Sequence, residues 1–457
     1  MKRIFSFLII ASFLFSAGSC KPAEKISEQN TDEQEQENGD NQEQEQGQQQ
    51  EEPPINPVYS PEGCIENDVV YAYMQCGSYE HFGDKSFFYD PVVKATANLC
   101  NWKADDPKGI TVSWEGSASE YTVSISTPEG LWYEEVITGN KYIFKNLIPG
   151  VTYTYTVSAG GNPVKNGSFT PTGQIRMLDI PCAWNYRDEG GWTGLQGKKV
   201  KYGWIYRGSS LNGILNGVNG SADVYDVSKW SAPDSMRVII DRIGIRAELD
   251  LRGNLEIPGQ SGDNYEAHSN ALGFSQFEGV DYLRIMSDYG YYHPLERSAF
   301  IQDLAFIISE LKKGRPVAYH CRSGADRTGA LAGLLLGLLG VSDGDIAKDY
   351  EFTSLSTEYP EKRLKLASDG LQACPNNFKP KIGIRSLEGD TVQEQYYRYV
   401  NQHFDDVRIN ADDIDWYIKF MLGLDSYEHP SWAKNYENNA LEDIYKLDTG
   451  SALPIWN

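Results

Sequence analysis

Basic charge is scarce in this chain. Its 457 residues carry 41 lysines and arginines against 64 aspartates and glutamates, a formal net charge of -23. Recognition of nucleic acid needs a basic stripe along the binding face, and no segment supplies one, so a DNA or RNA partner is excluded. Cysteine is also sparse: seven in all, with no Cys-x-x-Cys and no Cys/His spacing that a metal would require, so no metal is expected. Long apolar runs are missing beyond the first twenty residues. The strongest, Ala330–Val341, has 12 residues, well short of the ~20 that span a bilayer, and reads as a buried helix packed on a sheet. Aromatic residues are absent from Glu24 to Pro54, a stretch made almost entirely of Glu, Gln, Asp and Asn. Such a segment cannot bury enough apolar surface to offset chain entropy and is expected to be a disordered tether over 21–56. Its 11 acids and 2 lysines contribute -9 of the total, so much of the acidity belongs to the tether.

What is present begins at the N-terminus. Lys2 and Arg3 precede an apolar run, Ile4–Phe15, and then Ser16-Ala17-Gly18-Ser19-Cys20. A charged start, a short apolar core and small residues before a cut describe an export signal over 1–20. The Cys after the small residues resembles a bacterial lipoprotein signal, which implies lipidation at Cys20, a membrane anchor and a place in the cell envelope. Simple secretion is the alternative. Export allows disulfides, and Cys64, Cys76, Cys100, Cys182 and Cys374 are an odd set whose pairing stays open; Cys64–Cys76 is one option.

About 400 residues follow the tether, enough for two or three domains. Residues 57–87 carry no assignable pattern. From 110 to 158 apolar and polar residues alternate as in half-buried strands: Ile110–Trp114, Tyr121–Ile125, Tyr142–Phe144 and Val151–Val157. The segment 88–172 resembles a fibronectin type III domain, an all-β sandwich, with Trp114 as the core Trp and Tyr153 as the corner Tyr. Its aromatics read as packing, and the domain as a spacer or docking module.

From about 176 to 457 apolar runs alternate with helical periods, the signal of an α/β domain with a mostly parallel central sheet flanked by helices. Strands are expected at Arg246–Leu251, Tyr282–Met286 and Pro316–His320, and a helix at Leu295–Leu311 with Phe300, Leu304, Ile307, Ile308 and Leu311 on its buried face. The chemistry concentrates in His320-Cys321-Arg322-Ser323-Gly324-Ala325-Asp326-Arg327-Thr328-Gly329. Five residues between a Cys and an Arg suffice for one tight loop whose backbone N–H groups, those of Arg322, Ser323, Gly324, Ala325 and Asp326 among them, turn inward on phosphate oxygens. The helix that follows aims its positive end at the same point. Arg327 can grip two oxygens with its planar fork. This environment favours a thiolate at Cys321, and Thr328 can donate a hydrogen bond to it.

This string resembles the signature loop of the cysteine-dependent protein tyrosine phosphatase superfamily. Asn185-Tyr186-Arg187-Asp188-Glu189-Gly190-Gly191, Tyr206-Arg207-Gly208-Ser209, Leu249-Asp250-Leu251-Arg252 with Glu256, and Asp349-Tyr350 narrow the likeness to the bacterial tyrosine/serine phosphatases. That resemblance implies the tyrosine phosphatase fold and action on phosphotyrosine, phosphoserine or phosphoinositides, on a phosphorylated protein or a small phosphate ester, without a cofactor. Arg207 and Arg252 read more simply as loop-holding ion pairs than as substrate contacts, and His320, Asp250 and Arg252 as supports of the site. Relatives often carry Lys where this chain has Ala325, which weakens the case for highly phosphorylated inositols, although Arg322 partly restores the charge.

A leaving alkoxide or phenoxide needs a proton, worth ~100- to 10,000-fold in rate. Asp288 is the best donor. It follows the Tyr282–Met286 strand, lies 33 residues before Cys321, and sits in Met286-Ser287-Asp288-Tyr289-Gly290, which resembles the acid loop Trp-Pro-Asp-His-Gly without its Trp and Pro. Asp326 and Asp250 are the rivals. The leading expectation is a phosphomonoester hydrolase acting through a cysteinyl-phosphate. An inositol-phosphate or phosphoinositide phosphatase comes second, and an adhesion or binding lipoprotein with a silent phosphatase fold third.

Overall fold

Alternation over 110–158 becomes antiparallel structure in the computed structural model, which describes residues 64–75, 104–211, 234–252, 275, 277–285, 297–321, 324–356, 389–402 and 409–433. The signal, the tether, Cys20 and Asp288 lie outside the described residues. Short pieces come first: strand β1 (Cys64–Ile65) and helix α1 (Asp68–Gln75). Then come β2 (Ile110–Ser113), β3 (Tyr121–Thr127), β4 (Gly130–Ile137), β5 (Lys141–Phe144), β6 (Tyr153–Ala159), β7 (Asn162–Phe169) and β8 (Pro171–Thr172). β4, β3, β6 and β7 form a four-stranded antiparallel sheet in that order, and β2 pairs antiparallel with β5.

In β3 the alternate residues Tyr121, Val123 and Ile125 are buried, as a period of two demands of a sheet with one face covered. They share one apolar cluster with Val112, Trp114, Phe144 and Tyr153. Trp114 meets the Tyr121 ring edge-on at 5.3 Å. The Tyr153 hydroxyl accepts a hydrogen bond from the Ile148 backbone N–H at 2.8 Å, tying the turn before β6 to the strand.

The second region is built on a five-stranded sheet. Its strands are β9 (Arg187–Asp188), β10 (Ile205–Gly208), β11 (Ala247–Asp250), β12 (Asp281–Arg284) and β13 (Val317–His320). Their spatial order is β12-β11-β13-β10-β9; all neighbours are parallel except β9, which runs antiparallel to β10. Every residue of β10, β11 and β13 is buried, as expected of a parallel sheet covered on both faces. The covering helices are α2 (Asp234–Ile243), α3 (Arg297–Lys312), α4 (Asp326–Leu338), α5 (Asp343–Glu351), α6 (Val392–Asn401) and α7 (Ala411–Leu422). All five residues expected on the inner face of α3 are buried. α4 starts four residues before the apolar run that announced it, because the end of the signature string forms its first turn. Among the described residues, no helix is long and apolar enough to cross a membrane.

Residues 64–75, inside the stretch 57–87 that had no readable pattern, contribute to this second core. Val69, Val70 and Tyr73 of α1 join its apolar cluster, and the Tyr73 hydroxyl donates to Glu351 at 2.6 Å. β1 pairs in parallel with β8. Glu66, the residue after β1, accepts the backbone N–H groups of Asn146 and Leu147. The chain thus contributes α1 to the second core before it forms the antiparallel sheets, and returns to that core afterwards.

Candidate active site

β13 lies between β11 and β10, and the register sets Gly208, His320, Asp250 and Arg284 in one row across four strands. That row is the last of the sheet. Cys321 follows it directly, at the carboxyl edge where open α/β sheets bind ligands. It is almost wholly buried. Gly324 then takes φ +66°, and a Cβ there would run into the Gly208 carbonyl, so only glycine lets the loop lie against β10. Asp326 and Arg327 open α4, whose Gly329 N–H bonds back to the Ala325 carbonyl at 2.8 Å.

Buried side chains hold the loop from behind. The Gly324 carbonyl accepts two hydrogen bonds, from Asn185 Nδ2 and Arg207 Nη2, each at 3.0 Å. A planar trans peptide then sends the Ala325 N–H the opposite way, toward the inside of the loop. Arg207 also pairs with Asp349 of α5 through Nη1. Arg187 binds the same carboxylate through Nε at 2.8 Å and returns to Asn185 Oδ1 at 2.6 Å. Burial pushes the Asp349 carboxyl up, but Arg187 and Arg207 outweigh it and hold the group below its ordinary value. The Tyr350 ring occupies the space that any side chain at Gly329 would need. Asn185, Arg187, Arg207, Asp349 and Tyr350 are therefore one assembly whose output is the position of the loop.

The other side of the loop is cationic. Arg327, 6 % exposed, donates to the Leu251 carbonyl at 3.1 Å, and Arg284 Nε donates to the next carbonyl, that of Arg252, at 3.1 Å. Burial is the main reason the Arg327 guanidinium falls to about 10, with Asp250 opposing and Arg252 adding to the fall; it stays charged near neutrality. Asp250 accepts Arg252 Nε at 2.8 Å and Nη2 at 2.5 Å, and the Tyr282 hydroxyl at 2.9 Å. Burial raises its carboxyl, but the charges of Arg252, His320 and Arg284 overcome that and keep it ionised far below the usual range. A carboxylate so held suits the supporting role better than that of a proton donor.

His320 is fully buried, with Nε2 2.9 Å from Glu248 Oε1 and Nδ1 3.2 Å from the Cys321 carbonyl, so oxygens on both sides fix the ring. Thr328 Oγ1 is buried without a hydrogen-bond partner, so the expected bond to Cys321 is not made in this state. Arg322, Ser323 and Asp288 fall outside the described residues, as does the Asp326 side chain. Sequence reasoning missed Glu248 and Glu189. Glu248 sits two positions before Asp250 on the same face of β11, a period-two signal that could have found it.

Among the described residues, one group has metal-ligating types close together: Asp412, Asp415 and His429, with ligand atoms within 4.8 Å of one another. Asp415 is already satisfied there by the Tyr397 hydroxyl at 3.2 Å, the His429 backbone N–H at 3.0 Å and the His429 ring at 2.7 Å.

The chain is similar to the triple specificity protein phosphatase PtpB of Mycobacterium tuberculosis, 22 % identical over 244 residues that cover 46 % of this chain and 79 % of that one. Among solved structures, TpbA of P. aeruginosa aligns at 13 % identity and TM-score 0.22, over 41 % of this chain and 90 % of that one. The core catalytic domain of the PP-IP phosphatase SIW14 from S. cerevisiae aligns at 17 % identity and TM-score 0.21, over 37 % and 88 %. The family described as "Tyrosine phosphatase family" matches residues 178–437, more than half the chain and the whole span from β9 to α7; the chain belongs to the tyrosine phosphatase family.

Proposed function

We propose that this chain is a cysteine-dependent phosphomonoester hydrolase of protein tyrosine phosphatase type, acting on phosphotyrosine with room for dual specificity. One observation carries the reading: Cys321 follows the central parallel strand directly, two buried donors fix the Gly324 carbonyl three residues on, and Arg327 lies in the first turn of the next helix. In the first step the Cys321 thiolate attacks phosphorus in line, the S–P bond forms and the ester P–O bond breaks. Asp288 protonates the departing oxygen. The loop N–H groups of residues 322–326 and Arg327 bind the equatorial oxygens, most tightly in the transition state. In the second step water attacks phosphorus, Asp288 as carboxylate takes the water proton, and the thiolate leaves as inorganic phosphate forms. Asp326 is the remaining rival for the proton. No cofactor enters either step.

A second reading, an inositol-phosphate or phosphoinositide phosphatase, is favoured by the gathering of Arg252, Arg284 and Arg327 at the loop in a chain of net charge -23. We also propose that the chain is an exported lipoprotein anchored through Cys20, with 21–56 as tether and the antiparallel region as a fibronectin type III-like spacer. The Trp114–Tyr121 contact and the Tyr153 bond to Ile148 support that last assignment. An adhesion lipoprotein with a silent site would bind phosphate without releasing it.

The test is phosphate release by reduced protein, with and without Cys321→Ser, from a phosphotyrosine peptide and from inositol hexakisphosphate side by side. Release from the peptide, lost in the variant, is expected. Release mainly from the inositol supports the second reading, and binding without release from either substrate overturns both.

A further inference from the structure

Glu189, one residue beyond β9, is a buried carboxyl that the proposed mechanism does not use. Its Oε1 accepts the Tyr319 hydroxyl from β13, and its Oε2 is buried with no partner. Arg207 Nε of β10, also buried and also without a hydrogen-bond partner, stands 4.0 Å from Oε1 of the same carboxyl. A buried carboxyl with one unpartnered oxygen and a buried guanidinium with one unpartnered N–H thus lie next to each other just beyond hydrogen-bond reach, and an unmade bond in the interior is costly. The other Arg207 nitrogens are committed to Asp349 and to the Gly324 carbonyl.

We propose that Glu189 is a positioning residue whose charge state sets how firmly Arg207 holds the signature loop. With Glu189 neutral, Arg207 belongs to Asp349 and Gly324. Once ionised, the carboxylate draws Arg207 Nε toward itself. The Gly324 carbonyl then loses part of its grip, and the loop that begins at Cys321 is held less firmly. The inference rests on the phosphatase reading, because it acts only through Cys321 and its loop.

The groups facing Glu189 come from five elements: Tyr319 on β13, Arg207 on β10, Arg187 on β9, Asp349 on α5 and Tyr417 on α7. Burial, and then Asp349, push its carboxyl up to about 7 against the opposing pull of Arg207, Tyr319 and Arg187. The switch therefore falls near neutrality: loop held below, loop slackened above.

The experiment is the pH profile of kcat/KM for the full chain on an aryl phosphate with a good leaving group, so that ionisation of the proton donor matters little. The unaltered protein is expected to lose about two- to ten-fold as pH rises through about 7, the size of one hydrogen bond exchanged. Glu189→Gln should abolish that fall while turning over at the low-pH rate. Tyr319→Phe removes the hydroxyl that lowers the carboxyl, and should move the fall to higher pH; it also serves if Glu189→Gln does not fold. Profiles that keep the same fall in Glu189→Gln, or an unmoved fall in Tyr319→Phe, overturn the inference. Absence of turnover in the unaltered protein instead sinks the phosphatase reading on which it stands.

Discussion

The two sheet-built regions differ in what they bury. The antiparallel region fills its core with aromatic and β-branched side chains: Trp114, Tyr121, Val123, Phe144 and Tyr153. The parallel sheet also has an apolar cluster, but it buries charge along one edge: Arg187, Arg207, Glu189 and Asp349 behind the loop, and Glu248, Asp250 and Arg327 beside it. Buried ion pairs add little net stability, because desolvation consumes most of what the attraction returns. Apolar packing would hold a fold as well or better. A region that keeps so many paired charges at one sheet edge is spending stability on placing groups, and the edge where it does so is the one that carries Cys321.

Four experiments break or sharpen that contrast, in order of decreasing effect. Cys321→Ser should take turnover below detection while the nearly isosteric exchange of this buried side chain costs only about 1 kcal/mol in the thermal transition. Arg327→Lys keeps the charge but loses the fork, and about 100- to 1,000-fold in kcat is expected, measured by initial rates. Asp349→Asn strips the shared carboxylate from Arg187 and Arg207. Breaking a buried pair costs about 3–5 kcal/mol, so denaturant unfolding of the catalytic region should shift strongly and turnover should fall with it. Tyr153→Phe removes one hydroxyl from the antiparallel region and is expected to cost about 1 kcal/mol there with turnover unchanged. A large loss of turnover in Tyr153→Phe, or none in Asp349→Asn, would erase the distinction between the regions.

The join between them has its own pH signature. Burial pushes the Glu66 carboxyl up to about 8 from an ordinary 4.5, against the opposing pull of Arg176 and the Asn146 and Leu147 N–H groups. The folded chain therefore holds a proton that the unfolded chain releases between those values. This contribution to stability is complete below 4.5 and lost as pH rises through about 8. Unfolding midpoints measured across that window should fall for the unaltered protein and stay flatter for Glu66→Gln.

Much of this was legible in the sequence, for unequal reasons. Alternation located β3 and β6 because one face of each is dry, and the apolar run 330–341 located the body of α4. The signature string located Cys321 and Arg327 because a tight anion loop tolerates few residue types. Segment 64–75 was not legible, since its value lies in filling gaps in a distant core and its own pattern is too short to show a period. The network behind the loop was half legible. Asn185, Arg187, Arg207 and Asp349 stood in recognisable motifs, but their joining into one network, with Asn185 and Arg207 on the Gly324 carbonyl, is a property of the fold. Glu189 stood in the same string as Asn185 and Arg187 but was given no role, because its burial against Tyr319 of β13 shows only in the fold.

The central claim is that Cys321 carries the phosphoryl group. The most direct measurement is a rapid acid quench of the reduced full chain during turnover of a phosphate-labelled substrate, followed by mapping of the label. The expected result is one label per chain on the sulfur of Cys321, absent in Cys321→Ser. Steady release of phosphate with no label on that sulfur at any time point would contradict it.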